Sequence, residues 1–172
     1  MKKYIDEFVG IFKNIQQHLM NGVSYMIPVV VAGGILFAVA TMIIGPETLS
    51  SISSADEIDN LFSRGLYIVG KHGLALMVIV LSAFIAESIA DRPGIAPGLI
   101  GGYMCVSDIA NINAGFIGGI FSGLIAGISA YYLKKIPLPK AARSLKAIII
   151  VPLLATLITG FCIMFLIGTP CA

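Results

Sequence analysis

Few side chains in this sequence have the chemistry to act inside an apolar environment. Glu87 and Asp108 are acids placed within or beside long uncharged runs. An acid at membrane depth is expensive to bury and by default marks a polar pathway. Glu87, Asp108 and the neighbouring Asn111 are the candidates for such a pathway. The plainer alternative is that both acids reach an interface and are solvated, and residues 108–113 (DIANIN) read well as an outer loop. Asp91, Arg92, Pro93 and Gly94 form a compact charged turn, with Pro93 and Gly94 shaping it and Asp91 and Arg92 fixing it. A third set is purely steric. Gly115, Gly119, Gly123 and Gly127 recur every four residues, which lines small residues along one helix face and lets two backbones approach closely. Packing within the chain and a subunit interface are both open to that stripe.

Catalysis is not expected from these residues. No Ser/His/Asp arrangement or phosphate loop is present, and no dinucleotide fingerprint follows a strand. His18 and His72 are far apart in sequence. Cys105, Cys162 and Cys171 are odd in number and lie in apolar stretches, so neither a disulfide framework nor a metal site is suggested. No catalytic residue, metal or cofactor is assigned, and the substrate-binding residues stay unknown.

The elements that position these groups follow from composition. The chain has 172 residues, 58% of them hydrophobic and only 12% charged, with a mean hydropathy of +0.97. Soluble domains carry about 25% charged residues, and one this short could not hide so much apolar surface. A soluble enzyme, a disordered chain and a secreted disulfide scaffold are excluded. An all-α, polytopic membrane protein is expected.

A helix needs roughly 20 apolar residues to cross about 30 Å of hydrocarbon. The uncharged runs predict five spans at about 22–45, 66–90, 94–109, 114–133 and 147–168. The third is short and carries Pro97, Gly98, Gly101 and Gly102, so it is expected to be a broken or re-entrant segment. Residues 1–21 form a separate region. Tyr4, Ile5, Phe8, Phe12, Ile15 and Leu19 recur at helical spacing opposite a polar face, which predicts an amphipathic helix on the membrane surface. Asp6 and Glu7 interrupt the N-terminus, so a secretory signal is not expected. Residues 22–172 form the membrane domain.

Orientation follows from Lys and Arg. With the N-terminus inside and five crossings, nine basic residues lie inside and two, Arg64 and Lys71, outside. If the third segment were re-entrant, the connector KKIPLPKAARSLK (134–146) would change sides and the count would become four against seven. Five crossings therefore fit better. The same connector could serve as an anionic-lipid patch, but a positive-inside anchor explains it; no nucleic-acid partner is expected.

Several stretches then resemble one family. SIADRPGIAPGLIGGY (88–103) and HLMNGVSYMIPVVVAGGI (18–35) are similar to the membrane subunit, enzyme IIC, of the fructose-type phosphotransferase system. GFIGGIFSGLIAG (115–127), LKKIPLPKAARSLKAIIIVPLL (133–154) and IGTPCA (167–172) look like later stretches of that subunit, in the same order. The resemblance implies uptake of fructose, or a related hexose or hexitol, coupled to its phosphorylation. Phosphate would pass from phosphoenolpyruvate through enzyme I and HPr to IIA and then IIB, which donates it to the sugar. The resemblance further implies a homodimer in the bacterial cytoplasmic membrane, surrounded by lipid, with the N-terminus cytoplasmic. The family's motif resembling Gly-Ile-Thr-Glu-Gly-Ala-Ile-Pro, whose glutamate contacts sugar, is absent here. So is a IIB-like region with a phosphorylatable cysteine. The chain is thus expected to be the N-terminal, scaffold half of such a subunit, either truncated or encoded apart from a C-terminal sugar-binding half. The alternative is a non-transporting remnant or interaction protein that associates through its glycine-rich fourth helix; an intramembrane enzyme is the least supported reading.

Overall fold

The computed structural model describes residues 10, 13–45, 58, 60–107, 114–136 and 149–165. Among these residues the regular structure is helical. The described residues include the α-helices α1 (Ile15–Ile44), α2 (Leu61–Ala90), α3 (Ile95–Val106), α4 (Gly115–Lys135) and α5 (Val151–Ile163), with a 3-10 turn (Arg92–Gly94) before α3. Helix is the expected outcome for such apolar runs, because in lipid each backbone N–H and C=O must find its partner within the segment.

The lengths sort the helices. At about 1.5 Å per residue, the 30 residues of α1 and of α2 and the 21 of α4 reach or exceed about 30 Å of hydrocarbon. These three are long and apolar enough to cross a membrane. The 12 residues of α3 and the 13 of α5 fall short on their own. Single turns of wider helix at 149–150 and 164–165 extend α5 at both ends. The expected break in the third segment is not found within α3. Pro97 falls in its first turn, where the missing N–H would have had no partner anyway. The shortness comes from the ends: the Pro93–Gly94 turn before it and Ser107, extended with ψ 131°, after it. The expected surface helix at 1–21 lies mostly outside the described residues. Its last part, Ile15–Asn21, is continuous with α1.

The chain divides into two compact units, and the division falls within α1 and α2. One unit is Met26–Met77. Here the two helices cross backbone to backbone. A Cβ on Gly33 would lie 2.8 Å from the Gly73 carbonyl carbon, and one on Gly70 only 2.5 Å from the Phe37 nitrogen. Phe37 and Tyr67 close the contact with ring centroids 5.5 Å apart. Lys71 lies over the Tyr67 ring, and His72 Nδ1–H donates to the Ile68 carbonyl one turn earlier in the same helix (2.8 Å).

The other unit holds residues up to Tyr25 and from Val78 onward. Its core is the C-terminal half of α2, where Leu81, Ser82, Ala83, Ile85 and Ala86 are buried. The start of α1 lies along it. Gly22 sits against Leu81 and Ile85, Tyr25 stacks on Phe84 at 4.1 Å, and His18 Nδ1 is 2.8 Å from Ser88 Oγ. Helices α3, α4 and α5 pack on one another; Ala90, Ala130, Val151 and Ala155 form one cluster, and Cys105 and Ile163 another.

Candidate functional site

The turn at Asp91–Gly94 joins α2 to α3, and its shape follows from four residues. The Asp91 N–H donates to the Glu87 carbonyl and so closes α2 (2.8 Å). Asp91 itself takes φ 60° and ψ −157°, a region that glycine occupies freely and other residues do not. Pro93 supplies a fixed φ within the 3-10 turn, and the Gly94 N–H donates back to the Asp91 carbonyl (2.9 Å). Gly94 is buried because a Cβ there would collide with the Ala86 carbonyl. The chain therefore reverses tightly over the last turn of α2.

The charged side chains of the turn behave differently from one another. Asp91 forms an ion pair with Lys134 at the end of α4, tying the turn to a second helix. Both partners are substantially exposed, so the pair contributes at most about 1 kcal/mol. The Arg92 side chain is exposed and makes no hydrogen bond or ion pair among the described residues, while the Arg92 carbonyl accepts from the Ile95 N–H. The contacts seen at the turn come from the backbone of Asp91, Arg92 and Gly94 and from the Asp91–Lys134 pair. Asp91, Arg92 and Lys134, with Pro93, Ile95, Ala96, Leu99 and Pro152, line an open cleft of about 680 Å³.

Glycines set the spacing below this turn. A Cβ on Gly98 would lie 2.7 Å from Ala83 Cα, and one on Gly102 2.8 Å from Ser82 Cβ and 3.0 Å from Ile79 Cα. Gly101 faces the opposite way, toward Ser122, Thr159 and Ile163. These contacts seat α3 between α2 on one side and α4 and α5 on the other. The stripe on α4 is seated on α2 as well. Gly119 meets Val78, Gly123 meets Ser82 and Ile85, and Gly127 meets Ala86 and Ile89. Between them Ser82 Oγ–H donates to Ser122 Oγ (3.1 Å), both hydroxyls fully buried. The faces of Gly119, Gly123 and Gly127 are covered within the chain, so association of copies through that stripe would require α2 to move away. Gly115 is not one of the contact glycines. It has φ 54° and open space around its Cβ position, and it starts α4 rather than packing it.

Glu87 is half-buried one turn before the end of α2. Asp108 and Asn111, the other two candidates for a polar pathway, lie outside the described residues. A second open groove, about 640 Å³, runs along the start of α1 and is lined by uncharged amides and hydroxyls, among them Asn14, Gln17, Asn21, Ser24 and Ser88, together with Lys13. Such groups hydrogen-bond hydroxylic ligands and water without fixing a charge. Sequence reasoning missed this groove, and it took the α3 glycines for breakers rather than for contacts. The second had a legible signal, because Gly94, Gly98 and Gly102 repeat every four residues as the α4 glycines do.

Comparison with known proteins adds a family context. The family model described as "Phosphotransferase system, EIIC" matches residues 20–171. The chain is 43% identical over 166 residues to "Fructose-like permease IIC component 2" of Escherichia coli (strain K12), an alignment covering 96% of this chain and 44% of that protein. It is 43% identical over 169 residues to "PTS system fructose-specific EIIABC component" of Bacillus subtilis (strain 168), covering 95% of this chain and 25% of that protein. A relative from Haloferax volcanii, "PTS system fructose-specific EIIC component", is 32% identical over 174 residues, covering 91% of this chain and 45% of that protein. The chain thus spans less than half the length of these relatives. No solved structure matches it.

Proposed function

Because the chain belongs to the EIIC family of the phosphotransferase system, we propose that it forms part of a membrane permease subunit taking up fructose, or a related hexose or hexitol, with phosphorylation of the sugar by IIB. The observation that carries this reading is the 43% identity along 96% of the chain to a fructose-like IIC component. The role assigned to this stretch is that of the scaffold. Helices α3 and α4 meet α2 through glycines that leave no room for a Cβ, as at Gly98, Gly102, Gly119, Gly123 and Gly127. Such an interface is bistable or rigid rather than compliant, which suits a fixed frame. Sugar contacts belong to a further membrane portion corresponding to the rest of the relatives' length, and this chain supplies no catalytic residue.

IIA and IIB are the partners, in keeping with the A, B and C components joined in the name of the Bacillus subtilis relative; HPr and enzyme I stand upstream. The subunit works as a homodimer in the lipid of the bacterial cytoplasmic membrane. The positive-inside count supports a cytoplasmic position for the N-terminus, the Asp91–Gly94 turn and the connector 134–146. That is where a phosphoryl donor has to reach the sugar.

The test uses cells lacking their own fructose uptake. They receive this chain, the remaining portion of an EIIC relative, IIA and IIB. Accumulation of radiolabelled sugar phosphate that requires all four supports the reading. Equal accumulation without this chain, or entry of free sugar through this chain alone, overturns it.

A further inference from the structure

We propose that the cleft beside the Asp91–Gly94 turn is a binding site for one acidic phospholipid, its phosphate held by Arg92 and Lys134 and an acyl chain laid against Ile95, Leu99 and Pro152. The cleft is about 680 Å³. Its charged groups, Asp91, Arg92 and Lys134, are exposed, while Ile95 and Pro152 are half-buried. That division fits an amphiphile, with a charged end in the headgroup layer and an apolar end against the protein.

The charge has the right sign. Two cations against one carboxylate leave the described lining residues with one net positive charge. Arg92 makes no ion pair among the described residues, and its planar guanidinium offers two parallel donors to a phosphate. Lys134 also lines the cleft, where Asp91 competes for its charge. Next along α4, Lys135 lies 4.2 Å from the centroid of the Tyr131 ring, and tyrosine with a basic neighbour is the usual furniture of a membrane–water interface. A free phosphate would use only the cations and gain nothing from Ile95, Leu99 or Pro152. The proposal takes from the permease reading only that the chain sits in a bilayer.

The test needs neither sugar nor IIB, so its failure leaves uptake standing, and failed uptake leaves it standing. The chain is purified in a neutral detergent, and fluorescent phosphatidylglycerol is titrated in and read by anisotropy. Phosphatidylglycerol is expected to bind at least tenfold more tightly than the matching phosphatidylcholine. Arg92→Gln is expected to weaken it about fivefold, the effect of one basic group near an anionic headgroup. Asp91→Asn, which removes the one carboxylate from the lining, is expected to tighten it by a similar factor, a gain that misfolding cannot mimic. Lys71→Gln, in the other unit, is expected to change nothing. Equal binding of the two lipids, equal effects of Arg92→Gln and Lys71→Gln, or weaker binding by Asp91→Asn overturns the proposal. Displacement of the lipid by millimolar inorganic phosphate overturns it too, since the site would then be one for the free anion.

Discussion

Replacing Gly123 by alanine should separate α2 from α4. A Cβ at that position would lie 2.7 Å from the Ser82 carbonyl oxygen, 2.9 Å from Ile85 Cβ and 3.1 Å from Ser82 Cα. Ordinary contacts between carbon atoms are about 3.5–4.0 Å, so the helices must part by somewhat under ~1 Å. Overpacking of this kind costs about 1–3 kcal/mol. The movement also stretches the Ser82–Ser122 hydrogen bond, already 3.1 Å long, and such bonds between membrane helices are worth about 0.6 kcal/mol. Alanine returns up to about 1 kcal/mol through its better helix propensity. The net is a destabilisation of about 1–2 kcal/mol, roughly a tenfold shift toward the unfolded state. Gly160→Ala is the matched control, because the nearest atom to its Cβ position is Met104 Sδ at 3.8 Å. There the propensity gain acts alone and stability should rise by up to about 1 kcal/mol. Unfolding in mixed micelles of rising dodecyl sulfate fraction, followed by circular dichroism, measures both. Shifts of the same sign and size in the two variants would refute the claim that α4 is seated on α2 through Gly123.

Further outcomes follow from single contacts. Asp91→Gly should stabilise the chain by about 1 kcal/mol in the same unfolding assay, since relief of about 1–3 kcal/mol of backbone strain outweighs an exposed ion pair worth at most about 1 kcal/mol; a loss of stability would show that the Lys134 pair dominates. A double-mutant cycle on Ser82→Ala and Ser122→Ala should return a coupling of about 0.6 kcal/mol, and additivity would remove their hydrogen bond from the account of the core. Gly98→Val should disrupt α3 far more than Gly34→Val disrupts α1. The first Cβ position is 2.7 Å from backbone, whereas the second meets only the tip of Leu74 at 3.9 Å; cysteine cross-linking between α2 and α3 reads the difference.

The helices were legible in the sequence because charge is a coarse and costly variable in lipid. The uncharged runs marked five segments; α4 extends two residues beyond its expected span, whereas α2 begins five and α1 seven residues early. Glycine was harder to read, because one residue type does several things. In α3 the glycines and Pro97 suggested a break, yet Pro97 occupies a first turn and the glycines are contact points in an unbroken helix. Gly115 matched the four-residue repeat but serves a left-handed backbone position instead. The Ser82–Ser122 bond had no signal, since two serines 40 positions apart announce nothing until α2 and α4 are placed together. Asp91 was visible as a charge but not as a strained residue; an aspartate before Arg-Pro-Gly does not declare its φ. Arg92 was expected to fix the turn, but a side chain's partners depend on the fold, and its neighbours left it exposed.

The central proposal is that this chain threads a membrane with the basic connector and the Asp91–Gly94 turn both on the cytoplasmic side. Ala141→Cys, in a chain whose three cysteines are replaced by serine, tests it in intact cells with a membrane-impermeant maleimide. No labelling until the cells are opened is the expected result. Labelling of intact cells would put 134–146 outside and overturn both the orientation and the scaffold role.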